Sequence, residues 1–91
     1  MTDDTILQML KTDLQISAPQ YDEYLGSLIE LSRSAITNEG ITLTDSVEDG
    51  MLVEMYAAFL YRKRKEENVA MPRMIRYALN NRLFHQKAGG E

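Results

Sequence analysis

Few side chains in this sequence are equipped for chemistry. His85 is the single histidine among 91 residues, and there is no cysteine, which excludes disulfides and thiolate metal sites. An imidazole is the side chain best suited to general-base work near neutral pH, but the stretch Leu83-Phe84-His85-Gln86-Lys87 offers no acid to orient it. A solvated or capping role is expected for it. The carboxylate pairs Asp3-Asp4, Asp22-Glu23 and Glu48-Asp49 each fall where a helix is expected to begin. Capping and compensation of the helix dipole account for them there. No phosphate-binding glycine loop, metal-ligand spacing or nucleophile elbow is present. The residues predict no enzyme, no cofactor and no metal.

The other reactive-looking group is cationic. Arg62-Lys63-Arg64-Lys65, with Arg73 and Arg76, has the composition to line a phosphate backbone, and Tyr61 and Tyr77 could stack on bases. One reading is therefore a small DNA-binding regulatory protein using this basic helix end. Four consecutive charges on a helix point in all directions, however, and Glu66 and Glu67 stand beside them as partners. Nor do two helices joined by the short turn of a helix-turn-helix motif occur here. The net charge of -4 divides unevenly, with -8 in residues 1–50 and +4 in residues 51–91. An acidic half and a basic half suit either head-to-tail pairing of copies or a solvated surface.

Four helices would position these groups. The first is expected from about Asp3 to Leu14, with Thr2, Asp3 and Asp4 at its start and a stripe of Ile6, Leu7, Leu10 and Leu14. Ser17-Ala18-Pro19-Gln20 has capping-box spacing and opens a second helix reaching about Thr37. Its broad face carries Tyr21, Leu25, Leu28, Ser32, Ala35 and Ile36, widened by Tyr24, Ile29 and Leu31. Gly26 within it suggests a close helix crossing. Asn38-Glu39-Gly40 is a stop signal, with Gly40 suited to a left-handed turn.

The alternating Ile41-Thr42-Leu43-Thr44 reads as a short extended segment, either loop or a strand for another subunit. Asp45 with Glu48, or Ser46 with Asp49, would cap the third helix, in which Gly50 is an oddity. That helix runs to about Lys65 and is the element on which the others are expected to pack. Leu52, Met55, Tyr56, Phe59 and Leu60 form its face, with Met51 and Ala58 widening it. Pro72 begins the fourth, with Met71, Met74, Ile75, Ala78, Leu79 and Leu83 on one face. The expectation is an all-α, small four-helix domain over residues 1–87, with a longer loop between helices two and three and a flexible tail at 88–91. A domain of this size buries only roughly 60–65% of its unfolded surface and would gain from assembly. No apolar run approaches a membrane span and the acidic start is unlike a signal peptide, so a soluble intracellular protein is expected.

With the helices placed, the chain resembles the head–tail connector (adaptor) family of tailed bacteriophages, also labelled phage DNA-packaging proteins. The likeness lies in Leu10-Lys11-Thr12-Asp13-Leu14-Gln15-Ile16 at the first-helix exit and in Asp22, Leu25, Leu28, Ile29, Ala35 and Ile36 of the second helix. It continues in Leu52, Tyr56, Leu60, Tyr61 and Arg62 of the third, and in Met71-Pro72 with Ile75 and Leu79 of the last. The resemblance implies a virion structural protein that forms a ring of its own copies below the portal protein. Such a ring extends the DNA channel without sequence-specific binding and docks the next neck or tail component. It implies a place in the head–tail neck of the virion, the host cytoplasm during assembly, and no membrane. The expected subunit or portal contacts are Tyr56, Tyr61, Arg62, Arg64, Arg73 and Arg76, with Ile41 and Leu43 from the loop; for Tyr56 a place in the core is expected ahead of a contact. A closed ring needs a heterologous interface, for which the acidic second helix and the basic end of the third are the expected pair.

Overall fold

A computed structural model describes residues 1–66 and 68–89. Four helices account for nearly all of it: α1 Asp3–Leu14, α2 Asp22–Asn38, α3 Val47–Lys65 and α4 Arg73–Ala88. The protein is an all-α domain, as its apolar periodicity predicts, and no strand occurs among the described residues.

Each boundary has a local cause. Thr2 Oγ1 accepts the Thr5 amide at 3.2 Å to start α1, and Asp3 and Asp4 meet its positive end. The helix closes at Gln15, which adopts the left-handed conformation (φ 59°) while Ile16 N–H returns to the Lys11 carbonyl. The capping box expected at 17–20 does not form. Pro19–Tyr21 make a single 3-10 turn with no side-chain cap, and the acidic first turn of α2 is Asp22-Glu23. Lys11 reaches Asp22 at 2.7 Å and ties that turn to α1. Gly40 takes φ +99° at the end of α2, the conformation only glycine adopts without strain. Of the two alternatives for the third helix, Ser46 is the cap, accepting the Asp49 amide at 3.1 Å.

α3 packs against each of the other three helices. Leu52, Val53, Ala57, Ala58 and Phe59 are buried on it, together with Asp49 and Glu54. These positions occupy most of the helix circumference, wider than the single face that Leu52, Met55, Tyr56, Phe59 and Leu60 suggest. A helix enclosed on several sides has no one-sided stripe to read. Around it the core is completed by Ile6 and Leu10 of α1, Leu25, Leu28, Ile29 and Ile36 of α2, Ile41, and Ile75 and Leu79 of α4.

Both glycine expectations change. A Cβ at Gly26 would meet nothing within 4 Å, so no helix crosses there. A Cβ at Gly50 would lie 2.5 Å from the Met1 sulfur and 2.8 Å from Met1 Cβ. Gly50 is therefore where a side chain from the start of α1 lies on the backbone of α3. Met74, expected on the inner face of α4, is instead exposed. Of the tail at 88–91, Ala88 ends α4 and Gly89 caps it, while 90–91 lie outside the described residues.

Candidate assembly surfaces

The segment 41–44 is neither strand nor free loop. Ile41 is 1% exposed and belongs to the core, and Leu43 packs half-buried against it. Ile41 is thus withdrawn from any contact with another molecule. The backbone of this segment is stitched to α4 by side chains. Thr42 N–H donates to Gln86 Oε1 at 2.7 Å, Gln86 Nε2 donates to the Gly40 carbonyl at 3.0 Å, and Arg82 Nη2 donates to the Thr42 carbonyl at 2.8 Å.

Arg82 also anchors the joint between α3 and α4. Its Nε lies 2.7 Å from Asp49 Oδ1, and Asp49 Oδ2 accepts from the Thr44 amide at 2.8 Å and the Thr44 hydroxyl at 2.9 Å. Burial pushes the Asp49 carboxyl up, but Arg82 and the two Thr44 donors outweigh it and hold the group below the usual carboxylate range. Sequence reasoning assigns Asp49 to helix capping and leaves Arg82 off the apolar face of the fourth helix, and so misses this pair. The available signal is the spacing Ile75, Leu79, Arg82, Gln86, which sets two polar residues on the buried stripe of α4.

A second buried carboxylate behaves oppositely. Glu54, 8% exposed, has one oxygen with no hydrogen-bond partner. Burial first, and then the Asp13 carboxylate beside it, push its pKa to about 7, while Arg62 pulls weakly the other way.

The expected contact residues divide between the end of α3 and α4. Tyr61 stacks at a tilt on Tyr24 of α2, with ring centroids 6.4 Å apart. Arg62 lies 3.7 Å from Asp13, and Arg64 sits over the Tyr24 ring at 5.6 Å. Lys63 and Lys65 lie over Phe59 and Tyr61 at 5.8 and 5.0 Å. The basic run is thus exposed but partly engaged with the protein's own rings and with Asp13. Tyr56 is half-buried and edge-on to Phe59. On α4, Arg76 makes a two-pronged pair with Glu39 at 2.9 and 3.2 Å. Arg73 is exposed and makes no ion pair among the described residues. His85 is exposed; it shares a shallow depression with Glu48 and Asp49, but both Asp49 oxygens are already taken by Arg82 and Thr44.

No protein-family model, curated protein or solved structure matches this chain.

Two surfaces stand out once the internal pairs are set aside. Between α1 and α2 runs an open groove of about 450 Å³, edged by Asp3, Asp4, Glu23 and Glu30 and floored by Leu7, Gly26 and Ile29. Asp4, Glu23 and Glu30 make no ion pair among the described residues. On α4, Met74, Tyr77 and Phe84 are 70, 60 and 73% exposed. They lie on the helix face away from the buried Ile75 and Leu79, and α4 contains no acidic residue. Among the described residues no three or more candidate metal ligands cluster, and no helix is long and apolar enough to cross a membrane.

Proposed function

We propose that this protein is a structural assembly subunit of the head–tail connector type. Copies of it form a ring below the portal of a tailed phage or prophage, extend the DNA channel and dock the next neck or tail component. It works in the neck of the virion and assembles in the host cytoplasm. It catalyses no reaction; its chemistry is that of matched surfaces.

The observation that carries this reading is the separation of unneutralised charge. Five ion pairs among the described residues tie elements together within the subunit, Lys11–Asp22, Arg33–Asp3, Arg62–Asp13, Arg76–Glu39 and Arg82–Asp49, while the buried Glu54 stands apart from them. Among the described residues, Asp4, Glu23 and Glu30 make no ion pair on the α1–α2 face, nor do Arg73 and Lys87 on α4. Two separate faces of opposite sign suit a heterologous contact that repeats from copy to copy and closes on itself. The order of the helices and connectors along the chain supports the same reading through the resemblance described above.

The test is the mass in solution by light scattering on a size-exclusion column, alone and mixed with a portal protein from the same genome. A large defined ring, or co-elution with the portal, is expected. A strict monomer or dimer that ignores the portal overturns the reading. The exposed cations at the end of α3 favour one competitor, a DNA-binding regulator. Its signature is DNA affinity that falls steeply and linearly on a log–log plot against salt.

A further inference from the structure

We infer that the outer face of α4 docks into the α1–α2 groove of a second copy of this chain. The inference rests on the assembly reading and names the surfaces that reading leaves open.

The α4 face is amphipathic in the sense opposite to its buried side. Met74, Tyr77 and Phe84 stand out from it over about 15 Å of helix. Arg73 precedes this stripe and Lys87 follows it, both exposed. Three large apolar side chains with most of their surface in water, on one face of one helix, are more than the scattered single residues of an ordinary surface. A cationic rim without any acid tells what covers them: a partner surface that is apolar at its centre and anionic at its edges.

The α1–α2 groove has that composition. Leu7, with the edge of the buried Ile29 behind it, supplies an apolar floor, and Asp4, Glu23 and Glu30 supply carboxylates that make no ion pair among the described residues. Gly26 makes the floor deeper. It sits in the middle of a helix, where glycine costs roughly 1 kcal/mol against alanine, and no neighbour within the subunit requires it, since a Cβ there would meet only open space. A glycine that its own fold does not require leaves room for an incoming side chain. An aromatic or methionine of α4 is of the right kind, docked as an amphipathic helix in a groove.

The two faces differ from one another, so the contact is head-to-tail and each copy has one face still open after the first contact. The expected basic end of α3 is a poorer candidate, because Lys63, Arg64 and Lys65 already lie over rings of their own subunit.

A charge exchange tests the pairing on the full-length chain by sedimentation velocity, from micromolar to millimolar concentration. Wild type associates reversibly with concentration. Arg73→Glu with Lys87→Glu, and separately Glu23→Lys with Glu30→Lys, each weaken self-association about tenfold or more. Mixed together, the two variants co-assemble in equal proportion, because the acidic α4 of the first meets the basic groove of the second and the unaltered groove of the first still meets the unaltered α4 of the second. Gly26→Leu gives a second route: it keeps the helical circular dichroism of wild type but blocks association by filling the groove. Wild type that stays monomeric to millimolar concentration overturns the inference; if it still co-elutes with the portal, the assembly reading stands alone. Rings that survive both charge variants and Gly26→Leu also overturn the inference while supporting assembly. Cationic α4 variants that lose DNA binding in a monomeric wild type would overturn both.

Discussion

Asp49 and Glu54 are buried carboxylates on the same helix, about 7.5 Å apart along its axis, and the protein treats them in opposite ways. Around Asp49 converge a guanidinium, a backbone amide and a hydroxyl, which more than offset the cost of taking the charge out of water. Around Glu54 the main polar influence is another carboxylate, Asp13, and one oxygen is left without a partner. Burial is similar, so the supply of donors decides which group stays ionised. Where α3 meets α4 and the 39–46 connector it is locked by charge. Where it meets α1 it carries a proton that can leave near neutrality.

The largest effect should come from removing the satisfied group. Asp49→Ala leaves the Arg82 guanidinium uncompensated and the Thr44 amide unmet. A loss of about 3–5 kcal/mol is expected, read by urea unfolding and large enough to unfold a domain of this size. If the loss is below about 1 kcal/mol, the Asp49–Arg82 pair is no stronger than a surface bridge and the contrast with Glu54 collapses.

Next in size is Glu54→Gln, whose sign depends on pH. In the unfolded chain Glu54 loses its proton near 4.5, in the folded protein near 7. Between those values the folded state holds more protons, so stability falls as pH rises from about 4.5 to about 7 and then levels off. The glutamine variant should remove that slope, gaining on the order of 1–3 kcal/mol at mildly alkaline pH and little at mildly acidic pH. Asp49 carries the reverse dependence. Its stabilisation is present above the unfolded value of 3.8 and is lost as pH falls through its lower folded value. Carboxyl chemical shifts followed by NMR separate the two titrations directly, and a Glu54 that titrates near 4.5 would remove the contrast.

A third change trims the better-served site by one donor. Thr44→Val deletes the hydroxyl bond but keeps the amide bond to Asp49, for a cost of about 1 kcal/mol and an upward move of the Asp49 titration. The smallest effect belongs to Arg62→Ala. Arg62 and Asp13 are both well exposed at 3.7 Å, so stability should change by only a few tenths of a kcal/mol. The Glu54 titration should nonetheless move up, with the move fading in high salt.

What could be read from the residue order follows from range. Local patterns place α1 at its observed ends, narrow the cap of α3 to Asp45 or Ser46, and mark the left-handed Gly40 and the stop of α3 at Lys65, because each depends on neighbours within about one turn. The wide burial of α3 was blurred, since a helix enclosed by three others loses the one-sided pattern. Asp49 and Arg82 lie 33 residues apart, and no local rule links them. Gly50 is out of place in a first helical turn, but Met1, the residue that explains it, is far along the chain. Gly26 misled for the opposite reason: a helix glycine signals close approach, and within one subunit nothing approaches. The candidate surfaces were legible as charge imbalance and invisible as places, because Met74 fits the apolar spacing of α4 as well as the residues that are buried.

The stitching of 41–44 to α4 has a consequence for hydrogen exchange. Thr42 and Thr44 stand in a stretch with no regular structure and with exposed side chains, yet both amides are held, one by Gln86 and the other by Asp49. Their exchange with solvent deuterium should follow the opening of the α3–α4 joint rather than the fast pace of an ordinary coil. The connector and the last helix would then appear as one protected unit, slow together in wild type and released together when Asp49 is removed.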